Sequence, residues 1–302
     1  RTHVFASLWR GSADSWTNLN PQGVGSSWLT ATDGIVQVGG AEVGFEHASM
    51  WIGTPESWVD LNPPGATWSR ATGVGGGEVV GNVSYPGVQH PVIWRGGAAQ
   101  PAVDLYDGST RATVLATDGR QQVGFLDTGV EIHACMWTGT ANSRTDLGPA
   151  GALESQAMGV GNGYQVGYAY RGIGGYAASI WSGTADSWTD LSAYLPPGHQ
   201  GNAEAHAVWS DGHVIRVAGW TSCSDYSYEA VVWVGLLPPR CGTADFDHDG
   251  NPATDADIEA FFRCIAGNCC PICESADFNG DGDVGTDADI EAFFRVLAGG
   301  TC

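Results

Sequence analysis

The sequence contains no lysine; all 12 of its basic residues are arginine. That removes the P-loop lysine, the Schiff-base amine and the Lys-based isopeptide cross-link as chemistry for this chain. Charge is sparse, at 15% of 302 residues. No apolar run approaches the roughly 18 residues of a membrane-spanning helix, and no basic cluster offers a surface to nucleic acid or anionic lipid. Neither G-x-S-x-G nor H-E-x-x-H occurs, so no familiar catalytic motif marks an enzyme. The chain opens at Arg1 with no apolar leader segment, which gives the expectation of a processed, mature form.

Glycine is abundant, at 45 residues, beside this low charge. Many tight turns and few long helices are the expected consequence, hence an all-β body. Net charge is −21. Residues 241–302 hold thirteen acidic and two basic residues, so −11 of that charge sits in the last fifth of the chain. The same stretch holds six of the eight cysteines: Cys241, Cys264, Cys269, Cys270, Cys273 and Cys302. Such density in a small acidic module points to disulfides and an oxidising compartment. Cys270 and Cys273 form a C-x-x-C, but no second pair stands at zinc spacing. Cys135 and Cys223 lie far apart in the body, and pairing together, pairing between chains and remaining free all stay open.

The body is a repeat. Trp9, Trp51, Trp94, Trp137, Trp181 and Trp233 recur at intervals of 42, 43, 43, 44 and 52 residues. Each tryptophan sits in related text: "FASLWRGSADSWTNL", "HASMWIGTPESWVDL", "HPVIWRGGAAQPAVDL", "HACMWTGTANSRTDL" and "AASIWSGTADSWTDL". A second phrase follows in each unit: "IVQVGG", "EVVGN", "QQVGF", "YQVGY" and "IRVAGW". Short apolar runs bounded by Gly, Asn, Asp and Pro read as strands and turns, about four strands per period. Four antiparallel strands every ~43 residues is the signature of a β-propeller blade, because stacking around an axis buries the faces that one small sheet leaves bare. The units resemble the HAF repeats of secreted bacterial proteins. The resemblance rests on "HASMW" at 47–51 and "HACMW" at 133–137, with Asp60-Leu61 and Asp146-Leu147 closing their units. It spans about residues 3–234 and implies an extracellular repeat domain without naming an activity. Unit one departs from it with Phe5 in place of the histidine, and unit five with Ala177.

Each period then reads as an S-x-A strand, a V-G strand, an H-A-x-x-W strand and a D-L strand. The chain starts with the last two types, runs four full sets, and ends with the first three. Five closed blades would leave one H-A-x-x-W strand over. Either a sixth, incomplete blade exists, or a terminal strand leaves its ring and pairs with another molecule's open edge, or the extra strand simply packs on its own ring. His47, His90 and His133 start successive units and are expected to be structural, as is the tryptophan stripe. Trp28, Trp68, Trp209 and Trp220 fall off the pattern and are the better candidates for a ligand surface, such as one for glycans. Glu42, Glu46, Glu78, Glu131, Glu154 and Glu204 fall at unrelated points of the period, and nothing pairs two of them for catalysis.

The last 62 residues write one unit twice: "ADFDHDGNPATDADIEAFFRCIAGN" and, 32 residues on, "ADFNGDGDVGTDADIEAFFRVLAGG". Asp245, Asp247, Asp249 and Gly250 match positions 1, 3, 5 and 6 of an EF-hand calcium loop, as do Asp277, Asn279, Asp281 and Gly282. Alternate side chains of a tight loop aim hard oxygens at one point, and Asn251 and Asp283 supply the backbone carbonyl of position 7. An amphipathic helix follows each loop: Ile258, Phe261, Phe262 and Ile265 share one face, as do Ile290, Phe293, Phe294 and Leu297. One loop and one helix, repeated, resembles the type I dockerin family. That resemblance covers 241–302 and implies two Ca2+ ions, antiparallel helices and a cohesin-like partner. The loop here is one residue longer than the family's. Asp257 and Asp289, at position 13, are the expected closing ligands, with Asp255 and Asp287 as helpers. Pro252 at position 8 is expected to weaken the first site. The cysteines follow the duplication, with disulfide clasps 241–270 and 273–302, or clasps across the copies, as the expectation.

Three segments follow: a β-propeller of about five blades, or six, over 1–235; a Pro-containing linker at 236–240; and the dockerin-like domain at 241–302. The expected function is that of a secreted, non-catalytic calcium-binding protein that joins other protein chains, its own copies or a cohesin-like partner, outside the cell or at its surface. The rival is a carbohydrate-binding or carbohydrate-active propeller displayed through the same tail.

Overall fold

A computed structural model of the chain describes residues 3–97, 100–108, 111–172, 174–211, 214–223, 227–236, 242–270, 273, 275–279 and 283–300. Residues 237–240 of the expected linker at 236–240, together with Cys241, Asp281 and Cys302, lie outside these residues. The chain divides into two compact units, Arg1–Trp209 with Val217–Trp233, and Ser210–Arg216 with Val234–Cys302.

Four sets of four strands carry the repeat. They are β3 to β6 (Ser27–Thr32, Gln37–Val43, Phe45–Trp51, Val59–Asp60), β7 to β10 (Trp68–Gly75, Glu78–Tyr85, Val88–Arg95, Val103–Asp104), β11 to β14 (Arg111–Thr117, Gln122–Asp127, Ile132–Trp137, Thr145–Asp146) and β15 to β18 (Glu154–Gly161, Tyr164–Tyr170, Tyr176–Trp181, Thr189–Asp190). Within each set consecutive strands pair antiparallel, and one parallel bridge, Ile132 to Glu154, joins the third set to the fourth. Before them β1 (Ser7–Leu8) and β2 (Thr17–Asn18) form a sheet of two strands. After them β19 (His199–Ser210), β20 (Val214–Cys223) and β21 (Tyr228–Leu236) form a sheet of three. The surplus H-A-x-x-W strand is therefore β21, seated beside β20 in the place that β1 would need to complete the last sheet.

Each phrase of the repeat has a physical reason. The tryptophan ends the third strand of a set, and Trp51, Trp137 and Trp181 are fully buried against the neighbouring set. The serine of S-x-A reaches back to the preceding set. Ser27, Ser69 and Ser155 accept from the backbone N–H groups of Ala6, Ala48 and Ala134 at 3.2, 2.9 and 2.9 Å. These N–H groups belong to the alanine of H-A-x-x-W, so the two motifs are halves of one contact. A Cβ on Gly39, Gly81, Gly124, Gly167 or Gly219 would fall on the carbonyl oxygen of Trp28, Arg70, Thr113, Gln156 or Glu204 in the adjacent strand. Only glycine permits that approach, which is why V-G recurs.

In the second unit, α1 (Asp255–Ile265) and α2 (Asp287–Leu297) follow the two acidic loops. Thr254 and Thr286 cap them, each in a reciprocal box with the aspartate three residues on. Phe246, Phe261, Phe278 and Phe293 make the core, with at most 1% of each exposed. Phe261 and Phe293 stack with ring centres 4.1 Å apart. Two expectations need correction. Phe262 and Phe294 remain 41% and 44% exposed, although the helical spacing placed them on the buried face. Their place is taken by Phe246 and Phe278, the second residue of each loop, which fold inward between the helices.

The extra loop residue also has a cost. Ala253 adopts a left-handed backbone, φ 61°, where the second copy has Gly285 at φ 70°. Both donate to the residue before their loop, Ala253 to Ala244 at 2.8 Å and Gly285 to Ala276 at 3.0 Å. Ala253→Gly is therefore expected to stabilise this unit by about 1 kcal/mol, as read from the denaturant midpoint.

Candidate metal centre

Asp245, Asp247 and Asp257 bring carboxylate oxygens within 4.8 Å of one another. The loop sets this up through its own backbone. Gly250 N–H donates to Asp245 Oδ2 at 3.2 Å, Asp249 N–H to Asp247 Oδ1 at 3.1 Å, and Asn251 N–H to Asp249 Oδ1 at 2.7 Å. The chain is thereby curled around the three carboxylates. Asp257 is fully buried. Its Oδ1 accepts from Phe246 N–H at 2.7 Å, and its Oδ2 from Thr254 N–H and Oγ1 at 2.8 and 2.9 Å. Burial pushes the Asp257 carboxyl up, but the hydrogen bonds from Thr254, Asp247 and Phe246 outweigh it and hold it below its ordinary value.

Asp245 Oδ1 is buried and accepts no hydrogen bond. An ionised oxygen in that state is costly unless a cation meets it. The donors are all oxygen, which suits a hard divalent ion. Asp255 is exposed at the first turn of α1 and is not part of the group; Asp249 and Asn251 are exposed as well. In the second copy Asp289 is fully buried and repeats the role of Asp257. It accepts from Asn279 N–H at 3.2 Å and from Thr286 N–H and Oγ1 at 2.7 and 2.9 Å. Asp277 and Asn279 are half-buried beside it, while Asp283 and Asp287 are exposed. The T-x-x-D spacing could have revealed the capping role of both buried aspartates, which the sequence reading missed.

The expected clasps within each copy, 241–270 and 273–302, are not observed; the alternative, a bond across the copies, is, since Cys270 ends the first copy and Cys273 opens the second. Cys270 bonds to Cys273, and Cys264 bonds to Cys269. The 32-residue symmetry of the cysteines suggested partners in corresponding places. The turn after α1 instead brings near neighbours together, with Cα atoms of Cys270 and Cys273 5.1 Å apart. Cys135 and Cys223 are both free, and Cys135 is fully buried.

The periodic histidines are structural. Nδ1 of His47, His90 and His133 meets Oδ2 of Asp60, Asp104 and Asp146 at 2.7, 2.7 and 2.8 Å. The other oxygen of each aspartate accepts the backbone N–H two residues on. One carboxylate thus ties the third strand of a set to the turn after the fourth. Unit one, with Phe5, carries Asn18 in place of the aspartate and keeps only the backbone contact, from Asn20 N–H at 2.9 Å. Burial alone would lower the His133 pKa; its hydrogen bonds and charge contacts with Asp146 and Glu131 outweigh that and raise it. A raised folded value adds stability that is fully present below about pH 6.5 and is lost as pH rises through the folded value. His133→Ala should therefore lower the melting temperature more at about pH 5.5 than at about pH 9. Equal losses at both would contradict the ion pair.

The off-pattern Trp68 is held in place: its Nε1 donates to Glu46 at 2.9 Å, and Arg70 both pairs with Glu46 and lies over the indole. Trp209 is 53% exposed.

No family model matches the chain, and no curated protein matches it in sequence. Solved structures do match. The β-propeller domain of the trilobed protease from Pyrococcus furiosus, described as having an open velcro topology, is 12% identical over 76% of this chain and 75% of its own, with a TM-score of 0.51. A puromycin hydrolase is 11% identical over 76% of this chain and 43% of its own, with a TM-score of 0.52. A prolyl endopeptidase is 11% identical over 77% and 39%, with a TM-score of 0.50. The chain thus spans about two fifths of the length of these two enzymes. At such identities the likeness speaks to fold alone, and the sheets of the first unit have the fold of a β-propeller domain.

Proposed function

We propose that this chain is a secreted, non-catalytic calcium-binding protein that builds an extracellular or cell-surface assembly with other protein chains, copies of itself first among them. Its body is an HAF-type propeller of five blades, or six counting incomplete ones. Its tail is dockerin-like and takes up two Ca2+ ions, one in each doubled loop. Supporting the calcium reading are the converging carboxylates of the first loop and the buried, unpartnered oxygen of Asp245.

The assembly reading rests on one observation: both terminal sheets are short of strands and expose apolar side chains. Val232, Val234 and Leu236 of β21 are 60%, 63% and 85% exposed. Trp9 is 56% exposed, whereas its counterparts in the four full sets are at most 2% exposed. Sheets left bare in this way are ready to take a strand or a face from another copy. The adjacent exposed rings of Phe262 and Phe294, 6.2 Å apart, offer the tail a second contact surface. Light scattering of the full chain in calcium should show large species whose size grows with concentration, and deletion of residues 1–9 should abolish them. An unchanged size distribution after the deletion would refute strand exchange through β1.

A further inference from the structure

A second group of metal-ligating side chains lies in the last sheet and shares no residue with the acidic loops. His199 opens β19, Cys223 closes β20, and Glu229 is the second residue of β21. Adjacent strands of this sheet run in opposite directions, so one end of it receives a side chain from each strand. A ring nitrogen of His199, Sγ of Cys223 and a carboxylate oxygen of Glu229 lie within 4.8 Å of one another.

The surrounding contacts fit a metal site. His199 Nδ1 lies 3.2 Å from the Pro196 carbonyl oxygen, and Nε2 lies 3.1 Å from Glu229 Oε2. A proton on Nδ1, donated to Pro196, turns the lone pair of Nε2 toward the carboxylate. Two acceptors facing each other need a cation between them, a proton or a metal ion. A ligating histidine commonly has its other nitrogen anchored on a backbone carbonyl in this way. The backbone is also fixed in advance. Cys223 N–H donates to the Ser227 carbonyl at 2.9 Å, and Asn202 N–H to Ser222 Oγ at 3.0 Å, tying β19 to β20 next to the group.

The donor types choose the ion. One sulfur, one imidazole nitrogen and one carboxylate oxygen are a borderline set, suited to zinc and unsuited to calcium, which takes oxygen alone. Tetrahedral bonds of about 2.3 Å to sulfur and about 2.0 Å to nitrogen and oxygen set the ligand atoms roughly 3.3–3.5 Å apart; Nε2 and Oε2 already stand at 3.1 Å, so the approach left to make is that of Cys223 Sγ, which lies within 4.8 Å of both. We propose that His199, Cys223 and Glu229 hold a zinc ion in a tetrahedral site whose fourth position is taken by water. The ion clasps the three strands of the sheet that lacks a fourth.

Cobalt(II) tests this on the full chain, in saturating calcium and without reductant. One equivalent should produce a thiolate-to-cobalt charge-transfer band and the intense visible bands of tetrahedral coordination. Calcium loops cannot give the thiolate band, because they hold no sulfur. Cys223→Ser should abolish it. Since losing an outer-shell partner alone costs up to about 100-fold, His199→Ala and Glu229→Ala should weaken binding by at least that much. In the unmodified chain, zinc should protect Cys223 from maleimide, read by peptide mass, so the test does not depend on any variant folding. No thiolate band in the unmodified chain, a band that survives Cys223→Ser, or labelling of Cys223 at an unchanged rate with zinc would each overturn the site.

Discussion

Trp137→Ala should destabilise the propeller unit by about 3–5 kcal/mol, seen as an earlier midpoint in denaturant. Trp137 is fully buried and packs with Val80, Ile93, Leu105 and Val114, so it fills the space between two adjoining sets of strands. Alanine would leave a cavity that strands fixed by their pairing on both sides cannot close. Trp9→Ala is the matched control. It stands at the same point of its unit but is more than half exposed, and its loss should cost under about 1 kcal/mol. Trp137→Phe should fall between the two, because it restores much of the volume and removes an indole N–H that is buried without a partner. Similar small effects from Trp137→Ala and Trp9→Ala would mean that the tryptophans do not hold the sets together.

Calcium removal is expected to affect the tail as strongly. An ion bound only to the folded form, at a free concentration about 1,000 times its Kd, stabilises by about 4 kcal/mol per site. The two loops share one core, since Phe246 and Phe278 each pack on both Phe261 and Phe293; emptying either loop is therefore expected to loosen both. Chelation should therefore speed amide hydrogen exchange throughout α1 and α2 while leaving β3 to β18 unchanged. Asp245→Asn separates ion binding from folding. Its Oδ1 makes no protein hydrogen bond, so in chelator the variant should be as stable as the parent or slightly more so. In calcium it should be less stable. Asp257→Asn should be destabilising in both conditions, because the carboxylate also holds Phe246 and Thr254. If Asp245→Asn behaves alike with and without calcium, Asp245 is not a ligand.

Much of this could be read from the residues. The tryptophan period locates the third strand of every set, and the doubled "DADIEAFF" locates both helices. Elements missed by that reading depend on distances in space. V-G is legible as a strand, but the reason for its glycine, contact with the carbonyl oxygen of the adjacent strand, is not. Phe246 and Phe278 sit inside acidic text that reads as solvated, and only the closing of the loop onto the helices shows them to be core. They also displace Phe262 and Phe294, which a helical wheel alone would bury. The disulfides obey a local turn and not the symmetry of the two copies. His199, Cys223 and Glu229 have no common spacing; sheet register alone brings them together.

Titration calorimetry of the full chain with calcium tests the proposal of a metal-organised tail most directly. Uptake of two ions per chain, reduced when Asp245 is replaced by Asn, is the expected result. No heat up to millimolar calcium, with α1 and α2 equally protected in chelator, would contradict it.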